Sequence, residues 1–189
     1  MTKFGQLISA SVIVILLGVG IYWLIGWKSA SNPGGLPEFN FAQNLKDAGV
    51  NGGDPLSSQD NIYENAYWGF AFGHAGDFQI KEIDEDNGAL TVLAEGTGEK
   101  RTFQIFITDF DEAGPITPER IKKDLPGVKI EQPQTISFAG TDALAFISPK
   151  EEGKMIEVWF VRGGALYQVS AYFEFAGELS KILASWKFL

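Results

Sequence analysis

The chain of 189 residues has no cysteine and a single histidine, His74. The absence of cysteine excludes disulfides, thiolate chemistry, cysteine-ligated zinc or iron–sulfur centres and a lipid-modified N-terminal cysteine. No serine lies in a nucleophile turn of the Gly-x-Ser-x-Gly type. His74 is therefore the one conventional candidate for a general base or a histidine metal ligand. The alternative is a loop histidine that hydrogen-bonds within its own Gly-rich turn.

Basic residues are scarce relative to acidic ones. The chain has 15 Lys and Arg against 24 Asp and Glu, a formal net charge of −9, and from Tyr63 onward the counts are 12 and 20. A surface of this sign repels nucleic acid and anionic lipid, because binding to them rests on neutralising negative charge. We therefore expect no nucleic-acid partner.

Charge is absent altogether from residues 7–27, a run of 21 residues. A helix of this length extends about 30 Å, enough to cross the hydrocarbon core of a bilayer. Tyr22, Trp23 and Trp27 lie at its C-terminal end, where amphipathic rings favour the membrane–water interface. We predict a transmembrane helix that acts as a signal anchor, preceded by a short flank at residues 1–6.

The residues around this span bear on its retention and its orientation. Lys3 and the small residues 29–31 would also suit a cleaved secretory signal, although the apolar run of such a signal is usually only ~7–15 residues long. We therefore predict that the span at residues 7–27 is retained as an anchor and is not cleaved. Positively charged residues flanking a span are more frequent on its cytoplasmic side. Lys3 and the terminal amine precede the span and only Lys28 follows it, so we expect the N-terminus on the cytoplasmic side and the domain on the extracytoplasmic side.

Residues 28–62 have the composition of a flexible linker. Pro33-Gly34-Gly35 and the stretch 51–55, with Gly52, Gly53 and Pro55, break any periodicity. Within this linker, residues 37–45 carry two aromatics and a leucine and permit a short helix starting near Asn40. Two interpretations stay open: these side chains dock on their own domain or the membrane surface, or they form a motif captured by a partner.

Residues 63–189 have the size and patterning of one folded domain. Alternating apolar residues predict strands separated by Gly-rich and acidic turns, and Thr117 can cap a helix that starts at Pro118. Leu179, Ile182, Leu183 and Trp186 predict a C-terminal helix over residues 177–186. The predicted strands cover residues 63–72 with an interruption at 73–77, then 78–80, 89–94, 102–110, 128–131, 134–138 and 143–148, the last ended by Pro149.

A β-hairpin around Gly163-Gly164 is the sharpest local prediction, because a two-residue Gly-Gly loop fixes the register. It pairs Arg162 with Ala165, Phe160 with Tyr167, Val158 with Val169 and Ile156 with Ala171. The face that carries Phe160 and Tyr167 is apolar and is expected to be core. The opposite face, with Glu157, Trp159, Gln168 and Tyr172, is expected to be only partly covered, so that a one-residue slip would bury Glu157 and Gln168.

Acidic turns and exposed aromatics are the remaining candidates for a binding site. Asp84 and Asp86 with Glu95, and Asp109 and Asp111 before Gly114, each have part of a calcium-loop pattern, but neither run meets its requirements. Solvated hairpin turns are the simpler interpretation, with a weak divalent-cation site as the alternative. The aromatic candidates are either core packing under the C-terminal helix or the lining of an apolar groove for a peptide or lipid; they are Tyr67, Trp68, Trp159 and Tyr172.

The order of these elements resembles small PsbP-like domains. The resemblance rests on residues 63–65 and 69–72, the Asp142-Ala143 turn, the strand at 164–169 and the closing segment 182–188. This fold group includes the extrinsic PsbP subunit of photosystem II and many bacterial exported proteins with one N-terminal anchor or lipid attachment. Residues 73–78 depart from the pattern, which has an aromatic-proline turn and a tryptophan there. The resemblance implies an α+β fold, an antiparallel sheet with helices on both faces, and accessory or binding roles without shared catalytic residues.

These observations favour a single-pass, membrane-anchored protein whose extracytoplasmic domain binds or helps assemble envelope protein partners. We predict no catalytic, cofactor-binding or metal-binding residues and no enzymatic activity. A module that binds a small ligand or a divalent cation is the alternative, motivated by the acidic turns and a possible groove. A hydrolase built on His74 and a carboxylate is the third hypothesis.

Overall fold

The computed structural model describes residues 40–50, 61–85, 87–112 and 114–189. The helices are α1 (Phe41–Val50), α2 (Pro118–Asp124) and α3 (Ala176–Ala184), with a 3₁₀ turn at Phe173–Phe175 before α3. The strands are β1 (Asn61–Asn65), β2 (Phe70–His74), β3 (Gln79–Asp84), β4 (Leu90–Glu95), β5 (Thr102–Asp109), β6 (Glu131–Phe138), β7 (Thr141–Lys150), β8 (Gly153–Arg162), β9 (Ala165–Tyr172) and β10 (Lys187–Phe188).

The strands form two antiparallel sheets. The larger has seven strands in the order β3-β4-β5-β9-β8-β7-β6, and the smaller has three in the order β1-β2-β10. Within the large sheet, consecutive strands are neighbours except for β5 and β6, because β9 pairs with β5 and β6 lies at the far edge. A large antiparallel sheet with a few helices confirms the predicted α+β class.

The main core lies between one face of the large sheet and a layer made of α1, α3 and the small sheet. Aromatic rings dominate it: Trp186 stacks on Phe70 with ring centroids 4.7 Å apart, and Phe160 stacks on Tyr167 at 4.8 Å. Stacked and edge-on aromatic pairs at these distances add to the stabilisation from apolar burial. This core holds the domain together without disulfides.

A second, smaller cluster covers the opposite face of the large sheet. Thr117 caps α2 by accepting a hydrogen bond from the Arg120 backbone N–H, and Pro118 is the first helical residue, as predicted. Ile121 of α2 is buried against Phe146 and Trp159 of the sheet. Helices therefore pack on both faces, α1 and α3 on one and α2 on the other.

The start of the domain differs from its prediction. Residues 63–72 were expected to form one strand, but they fold into the β1–β2 hairpin. Asn65 causes the reversal, because its side chain accepts a hydrogen bond from the Trp68 backbone N–H at 2.9 Å and Gly69 adopts a φ of +68° that suits glycine. The expected bend at 73–77 also begins later, since β2 runs through His74.

Part of the predicted linker is folded. Asn40 caps α1, with its Oδ1 accepting from the Gln43 backbone N–H at 3.0 Å. Phe41 and Leu45 are 1% and 8% exposed and belong to the main core, and β1 begins at Asn61. The docking interpretation of this segment is therefore correct for these side chains, and the folded part begins before Tyr63.

The predicted β8–β9 hairpin is confirmed pair by pair, from Arg162 with Ala165 to Ile156 with Ala171. The argument about the opposite face was wrong, because Glu157 and Gln168 are buried in the observed register, at 4% and 8% exposure. α2 and the segment after it cover that face. Strand β7 also continues through Pro149 to Lys150 rather than ending at Pro149.

Among the described residues, no helix is both long enough and apolar enough to cross a membrane. The transmembrane helix predicted at residues 7–27 and its flank at 1–6 lie outside the described residues, as does most of the predicted linker.

Candidate functional site

Polar side chains line up across the middle of the large sheet, on the face that carries α2. Gln104 of β5 is paired with Ser170 of β9, and Ser170 is paired with Glu157 of β8. Alternation along the strands puts Gln168 and Trp159 on the same face, in the next row. The result is a polar strip beside the apolar cluster under α2.

Glu157 is the centre of this strip. Its Oε1 accepts a hydrogen bond from Lys150 Nζ at 3.1 Å, and its Oε2 accepts from Trp159 Nε1 at 3.2 Å and from the Ser170 hydroxyl. The Lys150 side chain is 20% exposed and that of Glu157 is 5% exposed, so the ion pair sits at the edge of the interior. A buried carboxylate needs this kind of partner set, because an unpaired one is strongly disfavoured.

A pocket of about 50 Å³ opens above this strip. Leu125 and Val128, from the segment after α2, form its apolar wall, and the rings of Phe106 and Trp159 contribute to its lining. We name this space, with Gln104, Ser148, Lys150, Glu157, Gln168 and Ser170 as its polar lining, the Glu157 pocket. Small-molecule sites share this combination of apolar walls and a few polar groups, but they are usually roughly 300–1,000 Å³ in volume.

A second concave surface lies at the β1–β2 turn. It is an open cleft of about 360 Å³ between that turn and the β3–β4 hairpin. We name it the Tyr67 cleft; its lining includes Tyr67, Trp68, Glu82, Asp84 and Glu85. Tyr67 is 86% exposed, and its ring meets that of Trp68 edge-on at 5.4 Å. The exposed Tyr67 ring, beside three carboxylates, can accept a cation.

The turn that carries Tyr67 is held from three directions. Tyr167 donates its hydroxyl to the Trp68 carbonyl at 2.8 Å, and the Leu189 backbone N–H donates to the Gly69 carbonyl at 2.9 Å. Asn65 closes the turn from within, as described for the hairpin. Tyr67 is therefore exposed by a fixed backbone and not by a loosely held loop.

The acidic side of the Tyr67 cleft is also organised by hydrogen bonds. Glu82 accepts from the Tyr63 hydroxyl and from Asn65 Nδ2 at 3.2 Å, and Glu85 accepts from the Thr91 hydroxyl at 2.8 Å. Burial, together with the hydrogen bond to Glu82, raises the pKa of the Tyr63 hydroxyl well above its usual range. Tyr63 thus stays a neutral donor that orients Glu82.

His74 does not form a catalytic group with a carboxylate. It is the last residue of β2, is 6% exposed, and lies between the rings of Phe72 and Phe78, each 6.3 Å away. Its Nδ1 is 2.9 Å from the Ala75 carbonyl oxygen, so the local hydrogen bond of the alternative interpretation is present, although His74 ends a strand and does not lie in a loop. Asp77, the nearby acid, hydrogen-bonds to Arg101 and Thr97 instead.

The acidic turns considered for calcium are not assembled into a shared site. Asp84 and Glu95 lie at opposite ends of the β3–β4 hairpin, since Asp84 is paired with Leu90 and Glu95 with Gln79. Asp86 lies outside the described residues. Within the described ranges, no group of three or more His, Cys, Asp or Glu side chains could hold a metal ion.

The four aromatic candidates lie in three separate places. Tyr67 and Trp68 line the cleft, whereas Trp159 lies beneath α2, so the expected cover from the C-terminal helix was wrong. Tyr172 lies next to Lys100, whose Nζ is 5.8 Å from the ring centroid.

Sequence reasoning missed the Glu157 pocket. The available signal was the run of polar residues at 157, 168 and 170 on one hairpin face.

Comparisons with known proteins give little beyond the geometry. No family model matches the chain, and no curated protein matches it. Among solved structures, the chain is similar to a crystal structure from Bacteroides thetaiotaomicron VPI-5482, with 12% sequence identity and a TM-score of 0.44. The similarity covers 69% of this chain and 49% of that chain, so the chain spans about half the length of the structure it matches.

Proposed function

We propose that this chain is a single-pass, membrane-anchored protein whose extracytoplasmic domain binds a protein partner and performs no chemistry of its own. The partner presents a Lys or Arg side chain to the Tyr67 cleft. One observation carries the proposal: Tyr67 is 86% exposed on a turn that is held by hydrogen bonds and stands beside an acidic cleft.

The charge of the cleft determines the chemistry of the partner. Glu82, Asp84 and Glu85 line one side, and the whole chain has a net charge of −9. A cationic side chain placed between these carboxylates and the Tyr67 ring gains both ion pairing and a cation–π contact. Opposite overall charges also speed the encounter of the two proteins.

The rigidity of the turn supports binding through this surface. A group that is already held in place loses little conformational entropy on binding, and tyrosine is enriched among residues that dominate interface energies. The bonds from Tyr167 and Leu189 provide that order in the free protein.

The location of the domain is part of the proposal. It rests on the uncharged run at 7–27, the composition of the segment that follows, and the resemblance to PsbP-like domains, whose members act mainly as accessory or binding modules. An anchored domain of this kind recruits or orients other proteins of the cell envelope.

A defined peptide pair tests the chemistry of the cleft. The probes are a short Gly-rich peptide with two arginines and the same peptide with citrulline, which keeps the shape and removes the charge. We expect the arginine peptide to shift the NMR signals of Tyr67 and Trp68 in the full chain, more weakly as salt is added. Equal binding of the citrulline peptide would contradict the proposal.

Matched variants locate the binding. Tyr67→Ala should weaken the arginine peptide about two- to fivefold, the effect of losing about 0.5–1 kcal/mol of exposed cation–π interaction. Tyr172→Ala removes a tyrosine elsewhere on the domain and should leave the affinity unchanged. The assignment to this cleft fails if both variants bind the peptide like the unmodified chain.

A further inference from the structure

We propose that the Glu157 pocket binds an uncharged, hydroxyl-bearing small molecule of the sugar or polyol class. This site is separate from the Tyr67 cleft: the two share no lining residue. The inference therefore does not depend on the proposed protein partner.

Buried polar groups with unused hydrogen-bonding capacity are the first step of the argument. Gln168 is 8% exposed and Ser148 is 4% exposed, and both line the pocket. Within the part of the chain that the structure describes, neither side chain hydrogen-bonds to another protein group. Buried amides and hydroxyls are nearly always paired in folded proteins. Among the described residues, the fully buried side-chain polar atom without a partner is Trp186 Nε1, so the unpaired polar atoms of Gln168 and Ser148 still reach solvent. Because both residues line the pocket, that solvent lies in the pocket, where a polar ligand can replace water.

The charge balance of the pocket is the second step. Lys150 and Glu157 neutralise each other at 3.1 Å, and Trp159 Nε1 and the Ser170 hydroxyl also bind the carboxylate. The lining residues therefore offer no unpaired charge that could bind an anion or a cation. A charged ligand would lose its hydration without a matching partner. A neutral ligand avoids this cost.

The kind of free group identifies the ligand class. A glutamine amide and a serine hydroxyl each offer both a donor and an acceptor, which is the pattern that a ligand hydroxyl also presents. The rings of Phe106 and Trp159, with the side chains of Leu125 and Val128, supply apolar surface for C–H groups. A space of about 50 Å³ that opens to solvent has room for one or two hydroxyl groups, since a water molecule occupies about 30 Å³, and the rest of a polyol or sugar would lie outside it.

NMR of the full chain tests this inference. The ¹⁵N-labelled protein is held in a detergent without a sugar headgroup, and the probes are glycerol, glucose, glucuronate and uracil. We expect glycerol or glucose to give saturable shifts of the Gln168 side-chain amide and the Trp159 indole N–H at millimolar concentrations. Glucuronate, which adds a charge to the same ring, should bind more weakly than glucose.

Two glutamine variants separate the pocket from the rest of the sheet. Gln168→Leu keeps the approximate volume and should abolish the shift of the Trp159 indole, whereas Gln79→Leu, on the exposed edge strand β3, should preserve it. If Gln168→Leu fails to fold, Gln104→Leu takes its place. The inference is overturned if no probe moves these signals, if uracil or glucuronate binds better than glucose, or if Gln168→Leu binds normally. These outcomes leave the arginine-peptide result untouched.

Discussion

Arg101 joins three separate parts of the chain through one guanidinium group. It pairs with Asp77 from the β2–β3 loop and, through Nη2, with Glu178 Oε1 of α3 at 2.7 Å. Its guanidinium also lies over the Phe78 ring, 5.1 Å from the centroid. Each of these contacts is partly exposed, so each is weak alone. Together they fix the β4–β5 turn against α3.

Asp77 makes this cluster sensitive to acid. Hydrogen bonds from Arg101 and Thr97 lower the pKa of the Asp77 carboxyl to about 2. A lowered pKa in the folded state means that the stabilisation is fully present above the unfolded pKa of about 4 and is lost as the pH falls toward 2. We expect Asp77→Asn to lower stability near neutral pH and to reduce the loss of stability over that acidic range.

Urea unfolding across this pH range measures the effect. Asp111→Asn, an exposed aspartate in the loop before α2, is the matched control and should retain the acid dependence of the unmodified chain. An unchanged pH profile for Asp77→Asn would show that the Asp77 carboxylate does not contribute to stability through this cluster.

Glu157 and Gln168 illustrate what residue patterns could and could not predict. Alternation along β8 and β9 placed both on the face opposite the main core, and this is correct. Whether that face is covered depends on where α2 packs, which is a long-range contact between elements far apart in sequence. Their burial, and hence the Glu157 pocket, could not be predicted from the hairpin alone.

Helix α1 belongs to the folded domain although its sequence neighbourhood looks like a linker. Its backbone at Ala42 donates to the Gln134 side chain of β6 at 3.3 Å, and Phe41 is 1% exposed in the main core. A ten-residue helix is marginal by itself in water, so packing against α3 and β6 holds it in place.

Truncating Phe41 tests this role. Phe41→Ala removes a buried aromatic side chain and should lower the free energy of unfolding by about 3–5 kcal/mol. Gln43→Ala, on the exposed side of the same helix, should change it by less than about 0.5 kcal/mol. Chemical denaturation of the full chain gives both values. If the two variants are equally stable, α1 is not part of the cooperative core.

Turn chemistry explains which elements were predictable. The two-residue Gly163-Gly164 loop was enough to predict the β8–β9 register, and Thr117-Pro118 marked the start of α2. The β1–β2 turn was missed because the alternation of Trp68, Phe70 and Phe72 continues across it. The reversal there depends on the Asn65 side chain and on Gly69, a weaker local signal than a Gly-Gly pair.

At the scale of the whole domain, the described residues form two concave surfaces with different chemistry. The Tyr67 cleft is open, acidic and aromatic, whereas the Glu157 pocket is small, neutral and partly enclosed. Composition predicted the overall acidic character, whereas residue patterning and the resemblance to PsbP-like domains predicted the α+β class. The placement of Tyr67 and Trp68 at the cleft and of Trp159 at the pocket emerged only from the tertiary fold. A protein partner suits the first surface and a small molecule suits the second.

Site-specific photo-crosslinking in intact cells tests the central proposal, that a basic protein partner binds at the Tyr67 cleft. A photoreactive phenylalanine analogue at position 67 should give an adduct with another protein, and the same analogue at position 152, in the β7–β8 turn, should not. Asp84→Asn should weaken the adduct from position 67, whereas Asp111→Asn should leave it intact. Equal adduct yields from positions 67 and 152, or a yield from position 67 that Asp84→Asn does not change, would contradict the account.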